Sequence, residues 1–551
     1  MIPSLTESCW SADKSLDVSD ISVGGLLRQA SEDAPETIAL VEVAPPGRPS
    51  LTGAGRTDRA WTYQELSAAA TRCAGWLLER FRPGERITVW APNVPEWIIL
   101  EYGAALAGLV LVTANPALRP AELGYVIGQS GSAGVFFVDS FRETAMADIA
   151  RSVADATPGV RHAISFSGWY DELSGESGSC RRLPPVSPDD PAQIQYTSGT
   201  SGFPKGALLH HRGLVSNALF VARRLGIADG ATWVSAVPLF HTGGCGMSIL
   251  GCANTRGTYG LCQYFDPRLV LTALQDMRAD VAVAVPTMLL AMLEQPDFAT
   301  FDLSQCALSI SGGTTVPPEL VRRVEREFGV KLVIVYGQTE IGAIATATSP
   351  EDDPEDRETT VGRPLWQVEV RVVDSHTGST VPVGEQGEIW FRGYQCMLRY
   401  YDMPAETAAV MRPDGWLRTG DLGSLDERGY CRVTGRIKDM IIRGGENIYP
   451  REIEELLARH RSIAEAVVVG VPDDKWGEQV AAVLQVADPG ESPAVAELRS
   501  YCRAHLAPHK TPRYWYVMPE FPFTASGKVR KFQIRELIIA GAVPLLPETS
   551  G

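Results

Sequence analysis

No stretch of this 551-residue chain is apolar enough to cross a bilayer. The most apolar run, 102–114 (YGAALAGLVLVTA), holds 13 uncharged residues, whereas a spanning helix needs about 20. The N-terminal stretch MIPSLTESCWSADKSLDVSD has neither a basic n-region nor an apolar h-region, so no secretory leader is expected. The ten cysteines contain no CxxC pair, and no histidine completes a zinc spacing with the closest three, Cys245, Cys252 and Cys262. Free buried thiols in a reducing, cytoplasmic compartment are therefore expected. Basic clusters are missing too. With 66 acidic and 50 basic residues the net charge is −16, which speaks against nucleic acid as a partner. No internal repeat or long low-complexity tract is present.

What is there is ordinary globular composition: 45% hydrophobic and 21% charged residues, which excludes a disordered chain. At about 150 residues per domain the length suggests three or four folding units. The first 430 residues or so alternate between helical and strand periods. Segment 61–80 has helical spacing with Thr62 as its cap. Strands are expected at 86–90, 109–112 and 134–138, with helices starting at Pro95 and Pro120 between them. The rhythm resumes with strands at 233–237, 281–285 and 331–336. Such alternation predicts βαβ units and mainly parallel sheets, in two doubly wound layers. From 357 to 392 the pattern turns to antiparallel β structure, with strands at 368–373 and 388–391 that suit a small barrel. Segments 44–55 and 349–358 read as solvated loops. Beyond 435–439 a compact α+β segment follows. It has a helix from Pro450 with Ile453, Leu456 and Leu457 on its apolar face, strands at 466–471 and 480–486, and a helix after Ser492.

The segment richest in chemistry is 196–206, YTSGTSGFPKG. It offers backbone N–H groups and hydroxyls to phosphate oxygens. Gly199 and Gly202 allow close backbone approach, and Lys205 supplies a point charge. The spacing is not that of a Walker A loop. This string resembles the phosphate-loop signature of the adenylate-forming superfamily, which includes acyl-CoA synthetases, nonribosomal adenylation domains and luciferases. Five further motifs resemble that family, in its order. They are Ser311-Gly312-Gly313-Thr314, Tyr336-Gly337-Gln338-Thr339-Glu340, Thr419-Gly420-Asp421, Gly435-Arg436-Ile437-Lys438-Asp439 with Gly444-Gly445-Glu446-Asn447, and Ser526-Gly527-Lys528. The resemblance covers nearly the whole chain. It implies a large N-terminal adenylation domain (1–437) of two doubly wound α/β subdomains plus a small β-barrel. A mobile, small α+β C-terminal domain (438–551) would be hinged to it.

The resemblance also implies a two-step reaction: a carboxylate attacks the α-phosphorus of ATP, and a thiol then displaces AMP. Thr197, Ser198, Thr200 and Lys205 would hold the pyrophosphate end, with Gly199, Ser201 and Gly202 in the same nucleotide-binding loop, Thr339 the α-phosphate, and Glu340 a Mg²⁺ ion, as a hard oxygen donor suits. Asp421 would accept both ribose hydroxyls, joined by Arg436. Gly312, Gly313, Thr314 and Tyr336 would flank the adenine, and Gly337 and Gln338 would belong to the same nucleotide site. Lys528 would contact the carboxylate and α-phosphate and stabilise transition-state charge. Lys438 would be the hinge that swaps Lys528 for the Gly444-Gly445 loop in the second step. His241, in PLFHTGG, would be a gate beside the acid and not a base, since the acid is already ionised at pH 7.

PLFHTGG and MIIRGGENIYP most resemble the medium- and long-chain fatty acyl-CoA synthetase branch. The segments 241–247, 285–289 and 337–344 contain small and apolar residues and no Asp or Lys, which favours an apolar acid. The acceptor implied is CoA, with a carrier-protein phosphopantetheine arm as the alternative. Relatives that activate nitrite to diazotise an aromatic amine share the ATP motifs. A noncatalytic nucleotide-binding protein would have no need of Lys528, Glu340 and Asp421 together.

Overall fold

The computed structural model describes residues 4–45, 50–52, 59–174, 182–197, 204–375, 377–444, 446–488, 493–523 and 529–546. Two large sheets form the body. The first has seven strands in the order Arg399–Tyr400, Lys205–His210, Pro191–Thr197, Val110–Ala114, Arg86–Trp90, Ser132–Phe137, His162–Ser165. It is parallel from Pro191–Thr197 onward, and its first three strands are antiparallel to one another. The second has nine strands, ordered Arg363–Pro364, Thr346–Ala347, Lys331–Tyr336, Leu308–Gly312, Val281–Val283, Thr232–Ser235, Thr258–Cys262, Ile38–Val43, Ala60–Thr62. Its interior is parallel and its edges antiparallel. Runs such as Val-Leu-Val-Thr-Ala at 110–114 are buried throughout, as strands covered on both faces require.

The helices start where their caps dictate. Thr62 and Glu65 form a reciprocal capping box ahead of helix Tyr63–Arg80. Pro95 and Pro120 stand at the first position of helices Pro95–Ala107 and Pro120–Ser130. All of Pro95–Ala107 is buried, the signature of a helix that is apolar on every side. It nevertheless carries Glu96 and Glu101, 0% and 2% exposed.

The β structure after residue 357 is a five-stranded antiparallel sheet ordered Cys9–Trp10, Val368–Val373, Gly387–Gly393, Leu417–Leu425, Cys431–Arg436. The Leu5 amide donates to Glu427 O at 2.8 Å, joining the chain before its first strand to the turn before its last. Two segments expected to be solvated loops depart from that reading. Ser50 and Thr52 are buried against carboxylates. Residues 354–359 form a short helix with Asp356 and Arg357 buried in ion pairs.

A fourth sheet, Glu446–Ile448, Ile441–Arg443, Gly477–Val486, Ile463–Asp473, with Tyr514–Val517 beside Gly477–Val486, forms the smaller unit. Its alternate residues serve two faces. Val468, Val480, Ala482 and Leu484 pack on helices Pro450–Leu457 and Val495–His505. Val467, Val469, Val471 and Val483 pack on helix Lys531–Ile539. The Arg451 guanidinium of the first of these helices donates to Val433 O in the five-stranded sheet.

Candidate active site

Neighbouring parallel strands Leu308–Gly312 and Lys331–Tyr336, in register Gly312 with Val335, end on the same edge of the nine-stranded sheet. Ligands bind at the carboxyl ends of such strands. Gly312 is buried there, while Gly313 and Thr314 emerge exposed beyond it. After Tyr336 the chain turns through Thr339–Ile341. Gly337 is required for that turn: a Cβ would lie 1.8 Å from the Ala343 carbonyl oxygen.

Asp421 gathers three of the sequence-predicted residues. Its Oδ2 accepts from the Tyr336 hydroxyl and from Gln338 Nε2, both at 2.7 Å. Its Oδ1 faces Arg436 Nε at 2.8 Å, and Asp421 and Arg436 are partners in the strand register. Gln338 also donates to Thr419 O at 3.0 Å. The Asp421 side chain is 3% exposed and that of Arg436 48%. Burial, then the neighbouring Asp421 charge, pushes the Tyr336 phenol well above its usual range, so it stays a donor. The Asp421 charge raises Arg436 in turn. The result is an ionised acceptor held in place at a cleft edge, suited to a vicinal diol.

A second group joins the two sheets. Thr197 and Lys205 pair at the base of a hairpin. Strand Arg399–Tyr400 lies against the outer side of Lys205–His210, with Tyr400 opposite Ala207. The Tyr400 hydroxyl donates to Glu340 Oε1 at 2.7 Å. The Lys205 ammonium lies 5.3 Å from the Tyr400 ring centre. Tyr400 was not singled out in the sequence, because a two-residue strand has no periodicity to read. Glu340 is half-buried and offers an oxygen ligand for a hard cation.

His241 precedes a π-helical turn, Gly243–Ile249; such turns are frequent at functional sites. The His241 ring packs 4.3 Å from that of Phe240, whose carbonyl accepts from Thr113 Oγ1 at 2.9 Å. The carbonyl of His241 accepts from the Gly244 and Cys245 amides. Behind this turn runs a buried polar ladder that no local motif announces. Gln195 Nε2 donates to Cys245 Sγ at 3.1 Å and to Gln193 Oε1 at 2.7 Å, and Gln193 Nε2 donates to Glu101 Oε1 at 2.6 Å. Burial raises the Glu101 carboxyl well above the usual range.

Lys438 is exposed in the short turn Ile437–Asp439. Gly444 closes the hairpin between Ile441–Arg443 and Glu446–Ile448. It has φ +61°, and a Cβ there would meet the Trp476 ring at 2.6 Å, so both backbone and space select glycine. Ser198, Gly199, Thr200, Ser201, Gly202, Gly445 and Lys528 lie outside the described residues.

Two family models match the chain. The AMP-binding enzyme model matches residues 27–401, and the model of the AMP-binding enzyme C-terminal domain matches 452–528. Among curated proteins, the mitochondrial medium-chain acyl-CoA ligase ACSF2 of Danio rerio is 34% identical over 97% of this chain and 91% of its own. Among solved structures, ATP-bound MatB from Rhodopseudomonas palustris superposes with a TM-score of 0.84 at 29% identity, over 95% of this chain and all of that one. The o-succinylbenzoate CoA synthetase MenE from Bacillus subtilis, in complex with the acyl-adenylate intermediate OSB-AMP, gives 0.80 at 29% identity, over 94% and 98%. Together with the Asp421 cluster at the sheet edge, these similarities make the chain a member of the AMP-binding, adenylate-forming enzyme family, and within it an AMP-forming carboxylic acid–CoA ligase.

Proposed function

We propose that this ligase activates a medium-chain fatty or similarly apolar acid. The observation that carries the acid class is the composition of the turn after His241. Gly244, Cys245, Gly246, Met247 and Ile249 are buried. Ser248 Oγ is satisfied internally by Gly243 O at 2.7 Å, so its hydroxyl is already taken. Across 241–249, 285–289 and 337–344 there is one carboxylate, Glu340, and no lysine or arginine. A second charge on the substrate would find no cationic partner there and would be desolvated at a cost of several kcal/mol. The name of the Danio rerio relative, a medium-chain ligase, points the same way.

In this reading Asp421 and Arg436 bind the ribose, while Tyr336, Gly337 and Gln338 with Gly312, Gly313 and Thr314 flank the adenine. Thr197, Lys205 and the residues between them, with Thr339, hold the phosphates. Glu340 would hold Mg²⁺. One carboxylate together with phosphate oxygens is a donor set that this ion accepts, and when bound it neutralises charge on the triphosphate. An anionic acid then reaches the α-phosphorus with Lys528 beside it, and His241 closes the acyl entrance. Residues 1–437 act as the adenylation domain. Rotation of 438–551 about Lys438 exchanges Lys528 for the Gly444-Gly445 loop, beside which the thiol of CoA enters.

The test is a panel of acids from acetate to palmitate, with benzoate, cinnamate and a dicarboxylate, incubated with ATP, Mg²⁺ and CoA. Pyrophosphate and acyl-CoA are followed separately. Both products, with kcat/KM highest for medium-chain acids, are the expected outcome. A preference for acetate or for the dicarboxylate would overturn the apolar-acid assignment.

A further inference from the structure

We propose that Tyr400 is a positioning residue that sets, with one side chain, both the carboxylate of Glu340 and the ammonium of Lys205. This rests on the reading of Glu340 as the metal-facing carboxylate and Lys205 as a phosphate-facing charge. Lys205 begins a strand of the seven-stranded sheet and Glu340 lies in the turn that follows strand Lys331–Tyr336 of the nine-stranded sheet, and the segment 395–401 crosses between them. At one end the Met397 amide donates to Glu340 O at 2.8 Å. At the other, the Leu398 amide donates to Leu208 O at 2.8 Å and the Tyr401 amide to Gly206 O at 2.7 Å. Gly342, in the turn after Glu340, approaches the same segment: a Cβ there would lie 2.5 Å from Gln395 O. Tyr400 is fixed within this strap. It is 5% exposed, and its amide donates to Thr407 Oγ1 at 3.0 Å.

The side chain therefore has little freedom, and its two functional surfaces are used separately. The hydroxyl donates to Glu340 Oε1 at 2.7 Å. The ring face lies 5.3 Å from Lys205 Nζ, within cation–π range. A tyrosine suits this place because both contacts leave the partner's charge intact. The carboxylate and the ammonium keep their full charges for a cation and a polyanion, yet each is aimed.

Phenylalanine keeps the ring and removes the hydroxyl, while leucine removes both, so the two contacts separate experimentally. ATP binding to the full chain is measured by calorimetry, once across a Mg²⁺ titration and once in EDTA, for wild type, Tyr400→Phe, Tyr400→Leu and Glu340→Gln. Melting curves check that each variant is folded. Tyr400→Phe is expected to raise the Mg²⁺ concentration at half-maximal ATP binding by roughly three- to tenfold, the loss of one hydrogen bond, with metal-free binding unchanged. Tyr400→Leu is expected to weaken metal-free ATP binding as well, by roughly two- to fivefold. If Glu340→Gln shifts the Mg²⁺ requirement and Tyr400→Phe does not, the positioning role is wrong. If the two Tyr400 variants weaken metal-free binding equally, the residue is only packing. An unaltered Mg²⁺ requirement in Glu340→Gln would instead overturn the metal reading beneath it.

Discussion

Two carboxylate–guanidinium groups in this molecule use the same chemistry to opposite ends. Around Arg59 every polar atom is closed off. Its Nε meets Glu42 Oε2 at 2.6 Å and its Nη1 meets Glu96 Oε1 at 2.5 Å, with side chains 7%, 2% and 0% exposed. Its Nη2 donates to Ser50 and Thr52. The remaining carboxylate oxygens accept from Ser50, Thr52 and Gln263. Around Asp421 the carboxylate is as deeply buried, but its arginine stands half in solvent. The first group can only hold Ser50, Thr52 and Arg59 against the helix Pro95–Ala107. The second keeps a charged acceptor oriented at the cleft. Completeness of partners, more than burial, separates a structural ion cluster from one that meets a ligand.

The sharpest way to break this comparison is Arg59→Leu. It leaves Glu42 and Glu96 as neighbouring buried anions without their cation, a change that costs about 3–5 kcal/mol. We expect the first thermal transition to fall by several degrees or the protein to become insoluble, whereas the ATP affinity of whatever remains folded is unchanged. Arg59→Lys keeps the charge but cannot fork between two carboxylates, and should fall between Arg59→Leu and wild type in the same melting experiment.

Asp421→Asn reverses the pattern. The donors Tyr336, Gln338 and Arg436 then face an amide in place of an anion, and a ribose would lose its charged acceptor. A hydrogen bond to a charged group is worth about 1.5–3 kcal/mol, so ATP affinity measured by calorimetry should fall roughly 10- to 100-fold. The melting temperature should move less than in Arg59→Leu, because half-exposed Arg436 turns to water. If Asp421→Asn destabilises the fold as severely as Arg59→Leu while ATP still binds, the contrast between the clusters fails.

The same contrast explains what the sequence could convey. The Asp421 cluster is built from short local strings, YGQTE, TGD and GRIKD, whose residue types announce charge and turn together. The strands of the parallel interiors and the helices at Tyr63, Pro95, Pro120 and Pro450 were legible because periodicity and capping are local signals. The Arg59 cluster was not legible. Glu42, Arg59 and Glu96 look like isolated surface charges, and Ser50 and Thr52 like loop residues, until strand Ile38–Val43 pairs with Thr258–Cys262, more than 200 positions away. The ladder from Glu101 through Gln193 and Gln195 to Cys245 was hidden for the same reason, and so was Tyr400, whose partners come from a strand of one sheet and the turn after a strand of the other. Long-range pairing assembles these groups, and no window of sequence contains it.

The finest test lies inside the Asp421 cluster. Tyr336→Phe removes one neutral donor from Oδ2 and leaves Gln338 and Arg436 in place. The ring and its packing beside Phe391, 6.1 Å between centroids, are retained. The carboxylate keeps its charge for the ribose and two of its three side-chain donors, so only part of its orientation is lost, and ATP affinity should drop roughly two- to tenfold, well short of Asp421→Asn. Because burial and the Asp421 charge hold the phenol above its ordinary range, it stays protonated at pH values where an exposed tyrosine begins to ionise. Wild-type affinity should therefore show no loss from this group between about pH 7 and 10. A fall across that window that disappears in Tyr336→Phe would mean that the phenol ionises in place. The Asp421 carboxylate would then face a second anion, and the cluster would be a titrating site, unlike the permanently closed one around Arg59.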